Sequence, residues 1–520
     1  MEMGTEEQLE IPDQSIAQNT EVSESRPHTG GQRPKWVAYS APLIILLAFV
    51  VTMVALSNTF HQSEAVSTTA EETVATQPSY IPKQYTMRQG QVKTAALDDE
   101  PAKSVASKRT KNVTTKHTRP ASPTPSHSAR ASLRGALVCT VGIKLNRSVA
   151  LPEDGLCDFT FFDSLQRNGL NELGGPFEEN FRHFAESAAR HTNTEYGAGF
   201  DYHAFEEMDE ILSDPAAKGH LNSLWDQRIF HFGYINTPYS DFSHDKFTQL
   251  MEILKTVSSL MRDKSTAERP SFTLLVAAMH SDLWIKHATH VFRDTFQPDA
   301  VVLVGHLSSR RSDAESCEIL PPTTLVHFAR HASPSLRDAH ETVRKLDSRG
   351  IKAALFVSLA MFGRWYKPRY QNFESRDRSG SLRGFAFLQK CRHDSGDVRG
   401  SHVQVCRDSA YTIAYHEEEP QGAVAYSEGA GKLLAYDNPE SLRRKLCACR
   451  DNVTAVKYGF TAFNVEYEDA ANRCGEGSFS RLRALKGLLN AFARPNSPEE
   501  AEGCSAQSAH VTTAAQRSEK

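Results

Sequence analysis

The sequence predicts an α/β fold: a (β/α)8 TIM-type barrel ectodomain, preceded by a single transmembrane helix and a disordered stalk. Three observations predict it. Residues 136–492 alternate short, continuous apolar runs with amphipathic helical patterns. Residues 36–56 form one uncharged apolar stretch, and all nine cysteines fall after residue 138. The 520-residue chain is 39% hydrophobic, low enough that part of it is expected to remain unfolded. Its charges nearly cancel, 59 basic against 63 acidic, so no global field attracts nucleic acid.

Residues 1–35 read as a disordered cytoplasmic tail. Residues 36–56, WVAYSAPLIILLAFVVTMVAL, are long enough to cross about 30 Å of hydrocarbon. Arg33 and Lys35 flank the stretch on one side, and no Lys or Arg follows on the other until Lys83. The positive-inside bias then places the C-terminal part outside the cell, as a type II signal-anchor. Cleavage near Ala55-Leu56-Ser57, giving a secreted protein, is the alternative, although the 35-residue leader is long for a signal peptide.

Residues 57–135 are rich in Ser, Thr, Pro and Lys and cannot bury enough apolar surface to offset ordering entropy. They read as a solvated, O-glycosylated stalk. Sequons at Asn112, Asn146 and Asn452 lie on the same predicted outer side. The polar tail 493–520 reads as disordered, with Cys504 as the odd thiol, open to an intermolecular bridge.

In the folded unit, 137–142, 157–163, 228–235, 272–279, 300–306, 324–329, 353–363, 431–437 and 458–467 read as buried strands. Helical patterns lie between them, at 247–263, 283–296, 335–350 and 439–452. Continuous apolar strands alternating with helices indicate a parallel sheet covered on both faces. No G-x-G-x-x-G or Walker loop follows a strand, so neither a dinucleotide nor any other cofactor is expected.

Three C-terminal segments carry a family resemblance: SLAMFGRWY (358–366), LAYDNPESLRRK (434–445) and YGFTAFNVEYEDAANRCG (458–475). With the closing helix SFSRLRALKGLL (478–489), they resemble the family-18 glycoside hydrolases, the chitinases and chitinase-like lectins, over about 136–492. The resemblance implies a barrel whose fourth strand carries D-x-x-D-x-D-x-E. In that pattern a Glu protonates the leaving oxygen and a neighbouring Asp orients the substrate's acetamido group. No such segment exists in this chain. Placed on 298–307, the pattern puts Val302 and Val304 at the inner acids and His306 at the proton donor. Placed on 272–282, it finds no acids either.

The chain is therefore expected to be a pseudoenzyme whose partner is an N-acetylglucosamine-type glycan or an extracellular protein. An active glycosidase with non-standard acids is the alternative. The resemblance puts Phe463 at the floor of the sugar cleft and offers Trp365, Tyr366, Tyr436, Asp437 and Glu466 as ligand-binding candidates. Core packing competes for Trp365 and Tyr366, and helix capping or solvation for Glu466, Glu468 and Asp469. It also implies a Cys139–Cys157 bridge and a partner for Cys474 within the C-terminal third. The pairing of Cys317, Cys391, Cys406, Cys447 and Cys449 stays open. On a helix Cys447 and Cys449 diverge, so each is expected to find a separate partner. Asp201, Glu206, Glu207 and Asp209 read as a solvated helix face. His280, His287, His290, His327 and His331 lack a metal-binding signature, and no metal is expected.

Overall fold

The computed structural model describes residues 133–494, except 143, 240–242, 280, 308–316, 329–333, 372–375, 377, 393–398, 451–452 and 454, together with Pro498 and Cys504. The expected anchor, most of the stalk and both chain tails, and Asn112, Asn452, His280 and His331, lie outside these residues. Among the described residues no helix is long and apolar enough to cross a membrane.

Eight parallel strands close into a barrel: β1 (Leu137–Val141), β2 (Phe159–Phe162), β5 (Glu195–Phe200), β6 (Ile229–Tyr234), β7 (Thr273–Ala277), β8 (Ala300–Leu303), β9 (Ala354–Ala360) and β15 (Gly459–Phe463). A small hairpin, β3 (Gln166–Arg167) and β4 (Leu170–Asn171), follows β2. The strands are apolar on both faces because both are buried. Val138, Phe159, Phe161, Leu274, Val276, Val302 and Phe356 fill the interior. Their neighbours Leu137, Val141, Leu275, Val301 and Leu355 pack outward in the other cluster, beneath the helices.

Those helices are α1 (Glu179–Arg190), α2 (Met208–Ser213), α3 (Ala217–Asp226), α4 (His244–Met261), α5 (Asp282–Asp294), α6 (Leu336–Ser348), α7 (Pro439–Arg450) and α8 (Ser480–Phe492). Ser243, Ser281 and Ser335 accept backbone hydrogen bonds that cap α4, α5 and α6.

The (β/α)8 expectation holds, but the strand assignment needs three corrections. Residues 195–200, EYGAGF, form the third barrel strand; their glycines hide a strand whose side chains have little room. The run expected at 324–329 forms no strand over its described part, 324–328, because the backbone carbonyls of Thr324 and Leu325 accept from Leu336 and Arg337 at the start of α6. Residues 432–436 do form a strand, β14 (Lys432–Tyr436), but outside the barrel. It joins β10 (Gly363–Tyr366), β11 (Arg399–Gly400), β12 (Thr412–His416) and β13 (Gly422–Ser427) in an antiparallel sheet inserted between β9 and β15.

Four disulfides close: Cys139–Cys157, Cys317–Cys391, Cys406–Cys474 and Cys447–Cys504. The expected odd thiol is thus corrected. Cys504 is bridged, and Cys449, on the other side of α7, is the free cysteine, buried at 1% exposure. Burial pushes its thiol up to about 12. Iodoacetamide at pH 8 is therefore expected to leave Cys449 unmodified in the native chain and to alkylate it after unfolding. Mass spectrometry that found native labelling would contradict the buried placement.

Candidate functional site at the barrel mouth

In a barrel of this class the residues just past the C-terminal strand ends line a common mouth. Counting along the closed sheet makes β6 the fourth strand, which corrects both expected placements of the acid pattern. Residues 298–307 belong to the sixth strand and 272–282 to the fifth. On β6 alternation turns His231 and Ile235 inward, while Phe232 and Tyr234 pack outward with the helices. His231 lies deep in the barrel, 2.9 Å from Glu195 Oε2 and stacked on Phe272. Between the two inward residues stands Gly233, where a Cβ would lie 2.1 Å from the Leu274 carbonyl oxygen. No side chain fits there, so the alternate positions of the fourth strand hold no carboxylate and the middle one cannot accept one.

Carboxylates nevertheless reach the mouth from other strands, and sequence reasoning missed two of them. Asp163 follows β2, Asp201 follows β5, and Glu466 stands three residues after β15. Asp201 is buried rather than on a solvated face, and its Oδ1 accepts from Asn236 Nδ2 (2.8 Å) and His203 N (3.1 Å). Glu206, Glu207 and Asp209 are exposed as expected. Glu466 Oε1 accepts from Gly142 N (3.0 Å) and Asn464 Nδ2 (3.1 Å), tying the eighth strand to the first. Its Oε2 is shielded from solvent and has no hydrogen-bond partner.

Burial pushes the Glu466 carboxyl up to about 7, against hydrogen bonds from its own amide, Gly142 and Asn464, and with the charge of Asp163 adding to the rise. Burial likewise raises Asp163 to about 6; the nearby Arg399 opposes this and Asp201 reinforces it. Arg399 hydrogen-bonds Asn464 Oδ1 (3.3 Å) and lies over the Phe362 ring. The pattern behind these acids was visible only as isolated carboxylates after apolar runs, with no spacing to link them.

The expected residues divide. Phe463 does face the mouth, with its ring centroid 4.5 Å from that of His306. His306 is buried, with Nδ1 2.7 Å from Ser358 Oγ. Burial, with Arg399 and Arg364 nearby, lowers its imidazole to about 3, which favours the neutral ring over the imidazolium a general acid would need. Val302 and Val304 pack in the barrel interior.

Trp365 and Tyr366 do not share a groove, since adjacent residues of β10 face opposite sides of the inserted sheet. Tyr366 is buried and donates its hydroxyl to the Leu320 carbonyl, while Trp365 stays half-buried under the Lys432 ammonium. Tyr436 is buried against His402, and Asp437 is fully buried in an ion pair with Lys445. Both are thus buried and engaged with neighbouring side chains. Glu468 and Asp469 are buried rather than solvated: Glu468 lies 2.8 Å from Arg481 Nε, and Asp469 accepts from the amides of Arg473 and Cys474.

His402, Asp469 and Cys474 come together closely enough to suggest a metal site among the described residues. Cys474, however, is bridged to Cys406 and offers no thiolate. Asn146 lies exposed in the loop after β1, so its sequon is accessible.

The fold and site define a closed (β/α)8 barrel with a polar, acid-bearing mouth and an aromatic floor. No protein-family model and no curated protein matches the chain. Among solved structures, it is similar to the Group IV chitinase of Ostrinia furnacalis in complex with allosamidin, at 13% identity and TM-score 0.47. That match covers 69% of this chain and 99% of the other. It is also similar to the immunomodulatory active chitinase of Trichuris suis, at 12% identity and TM-score 0.47, covering 68% and 99%. The chitinase-like agglutinin of Robinia pseudoacacia matches at 12% identity and TM-score 0.46, covering 66% and 98%.

Proposed function

We propose that this chain is a divergent chitinase-like barrel of the family-18 glycoside hydrolase type that recognises glycan without cleaving it. One observation carries this reading: the fourth strand offers His231, Gly233 and Ile235 where substrate-assisted cleavage needs its carboxylates, and Gly233 has no room for one. The mouth keeps what recognition requires, namely the apolar face of Phe463, the amides of Asn236 and Asn464, and carboxyl groups able to bond hydroxyls. N-acetylglucosamine oligomers are the proposed ligands. In the same reading residues 36–56 anchor the protein in a membrane with the barrel outside, and four disulfides suit an oxidising compartment. Alkaline carbonate extraction that released the chain would count against the anchor.

The purified full-length chain is expected to bind chitooligosaccharides in calorimetry while mass spectrometry detects no shortened products. Phe463→Ala is expected to weaken binding about tenfold, near 1.4 kcal/mol. A second reading, an active glycosidase, is favoured by Asp163 and Glu466, whose raised carboxyls suit proton transfer near neutral pH. Product release abolished by Glu466→Gln would replace the first reading with this one.

A further inference from the structure

A separate cavity of about 260 Å³ lies beside the end of β2, on the side facing α1. Strand alternation separates it from the mouth, because Asp163 turns toward the barrel axis and the next residue, Ser164, turns away. One wall is aromatic: Phe162, Phe177 and Phe181 line it, with the Phe177 and Phe181 rings 4.6 Å apart. The rest of the lining, from the β3–β4 hairpin and the start of α1, is largely polar and includes Gln166 and Asn168. Ser164 lines the cavity at 2% exposure, and its hydroxyl has no hydrogen-bond partner. A buried, unpaired hydroxyl costs the fold free energy, and a bound group that hydrogen-bonds it would recover that cost.

The charges at the rim oppose one another. Arg167, Glu172 and Glu178 all line the cavity, and Glu172 already accepts from Gly174 N. With two carboxylates to one guanidinium, such a rim disfavours an anion and offers acceptors to a hydroxylated ligand. An apolar ring wall set against donors and acceptors of both kinds matches a neutral, hydroxylated six-membered ring, whose C–H face lies on the phenyls while its hydroxyls meet the amides and Ser164. The volume admits one such ring.

We propose that this cavity is a second binding site, taking a single neutral pyranose unit independently of the barrel mouth. The inference does not depend on the mouth being a glycan cleft. Glucose and N-acetylglucosamine are the probes, added singly to the full-length chain and followed by saturation-transfer NMR. Saturation transfer is expected for at least one of them, and Ser164→Ala or Phe177→Ala is expected to weaken it about tenfold. Ser164→Ala should leave the melting temperature unchanged or higher, which separates ligand loss from misfolding.

Phe463→Ala is expected to leave monosaccharide binding at this cavity intact. Absence of transfer at millimolar sugar would overturn the proposal. So would binding that Phe463→Ala removes while Ser164→Ala and Phe177→Ala leave it unchanged. Monosaccharide binding here without oligosaccharide binding at the mouth would sink the mouth reading and leave this one standing.

Discussion

Asp437→Ala is expected to destabilise the barrel by about 3–5 kcal/mol, the cost of leaving a buried charge without its partner. Asp437 Oδ1 lies 2.5 Å from Lys445 Nζ, and neither side chain has any exposed surface. Ser441 donates its hydroxyl to the same carboxylate (3.1 Å), and Thr323 donates its amide to Oδ2 (3.1 Å). Lys445 also donates to the Thr323 carbonyl (2.6 Å), and Thr323 Oγ1 accepts from Ala360 N at the end of β9. One small network thus fastens α7, the end of the inserted sheet and the seventh barrel strand.

Without Asp437 the ammonium keeps the Thr323 carbonyl and loses its ion-pair partner. The expected readout is a marked fall in melting temperature. A companion Asp437→Leu/Lys445→Met variant is expected to regain most of the loss, since paired apolar residues leave no charge to desolvate. A single variant within about 1 kcal/mol of wild type would show that water reaches Lys445.

Glu466→Gln and Asp163→Asn are expected to act in the opposite direction and stabilise the fold at pH 8. Burial raises Glu466 from 4.5 to about 7 and Asp163 from 3.8 to about 6. At about 1.4 kcal/mol per unit, each anion costs the native state up to about 3 kcal/mol above its folded pKa. The amide substitutes avoid that cost, but at Glu466 the shielded Oε2 position stays unpaired, so the net gain is expected nearer 1–2 kcal/mol.

The sign follows from proton counting. Between the unfolded and folded pKa the native state holds more protons, so the penalty disappears as pH falls. The advantage of each variant should therefore be full above about pH 7 and gone below about pH 4. Buried His306, His340 and His402 titrate in the opposite sense, because their lowered values cost stability as pH falls below 6.5. The difference between variant and wild type isolates the carboxyls from these histidines. Melting curves from pH 4 to 8 that showed the gap widening toward acid would contradict the placement of both groups. A mouth that holds destabilising acids at neutral pH matches a site shaped for a ligand.

How much of this was legible beforehand can be read from particular residues. Runs such as FTLLVAAM and AALFVSLA announce strands buried on both faces, and seven of the eight barrel strands were legible in this way. EYGAGF was not, because its small residues are required by close packing between neighbouring strands and suppress the β signal. The Y-D-x-x-x-S-x-x-x-K spacing was legible as a pattern, but its meaning, a buried ion pair with a supporting hydroxyl, needed the three-dimensional contacts. The partner of Cys447 likewise depended on where residue 504 comes to rest.

The linear order of residues determined the barrel class, the alternation of strand and helix, and the absence of a D-x-x-D-x-D-x-E spacing. Those properties are local, set by periodicity along a short stretch of chain. Which strand is fourth, and which acids meet at the mouth, depended on closure of the ring. Asp163 and Asp201 already stand at the ends of the paired strands β2 and β5, and the meeting of the first and last strands brings Glu466 to the same rim. The burial that raises the carboxyls of Asp163 and Glu466 is a property of that assembled rim and not of either segment alone.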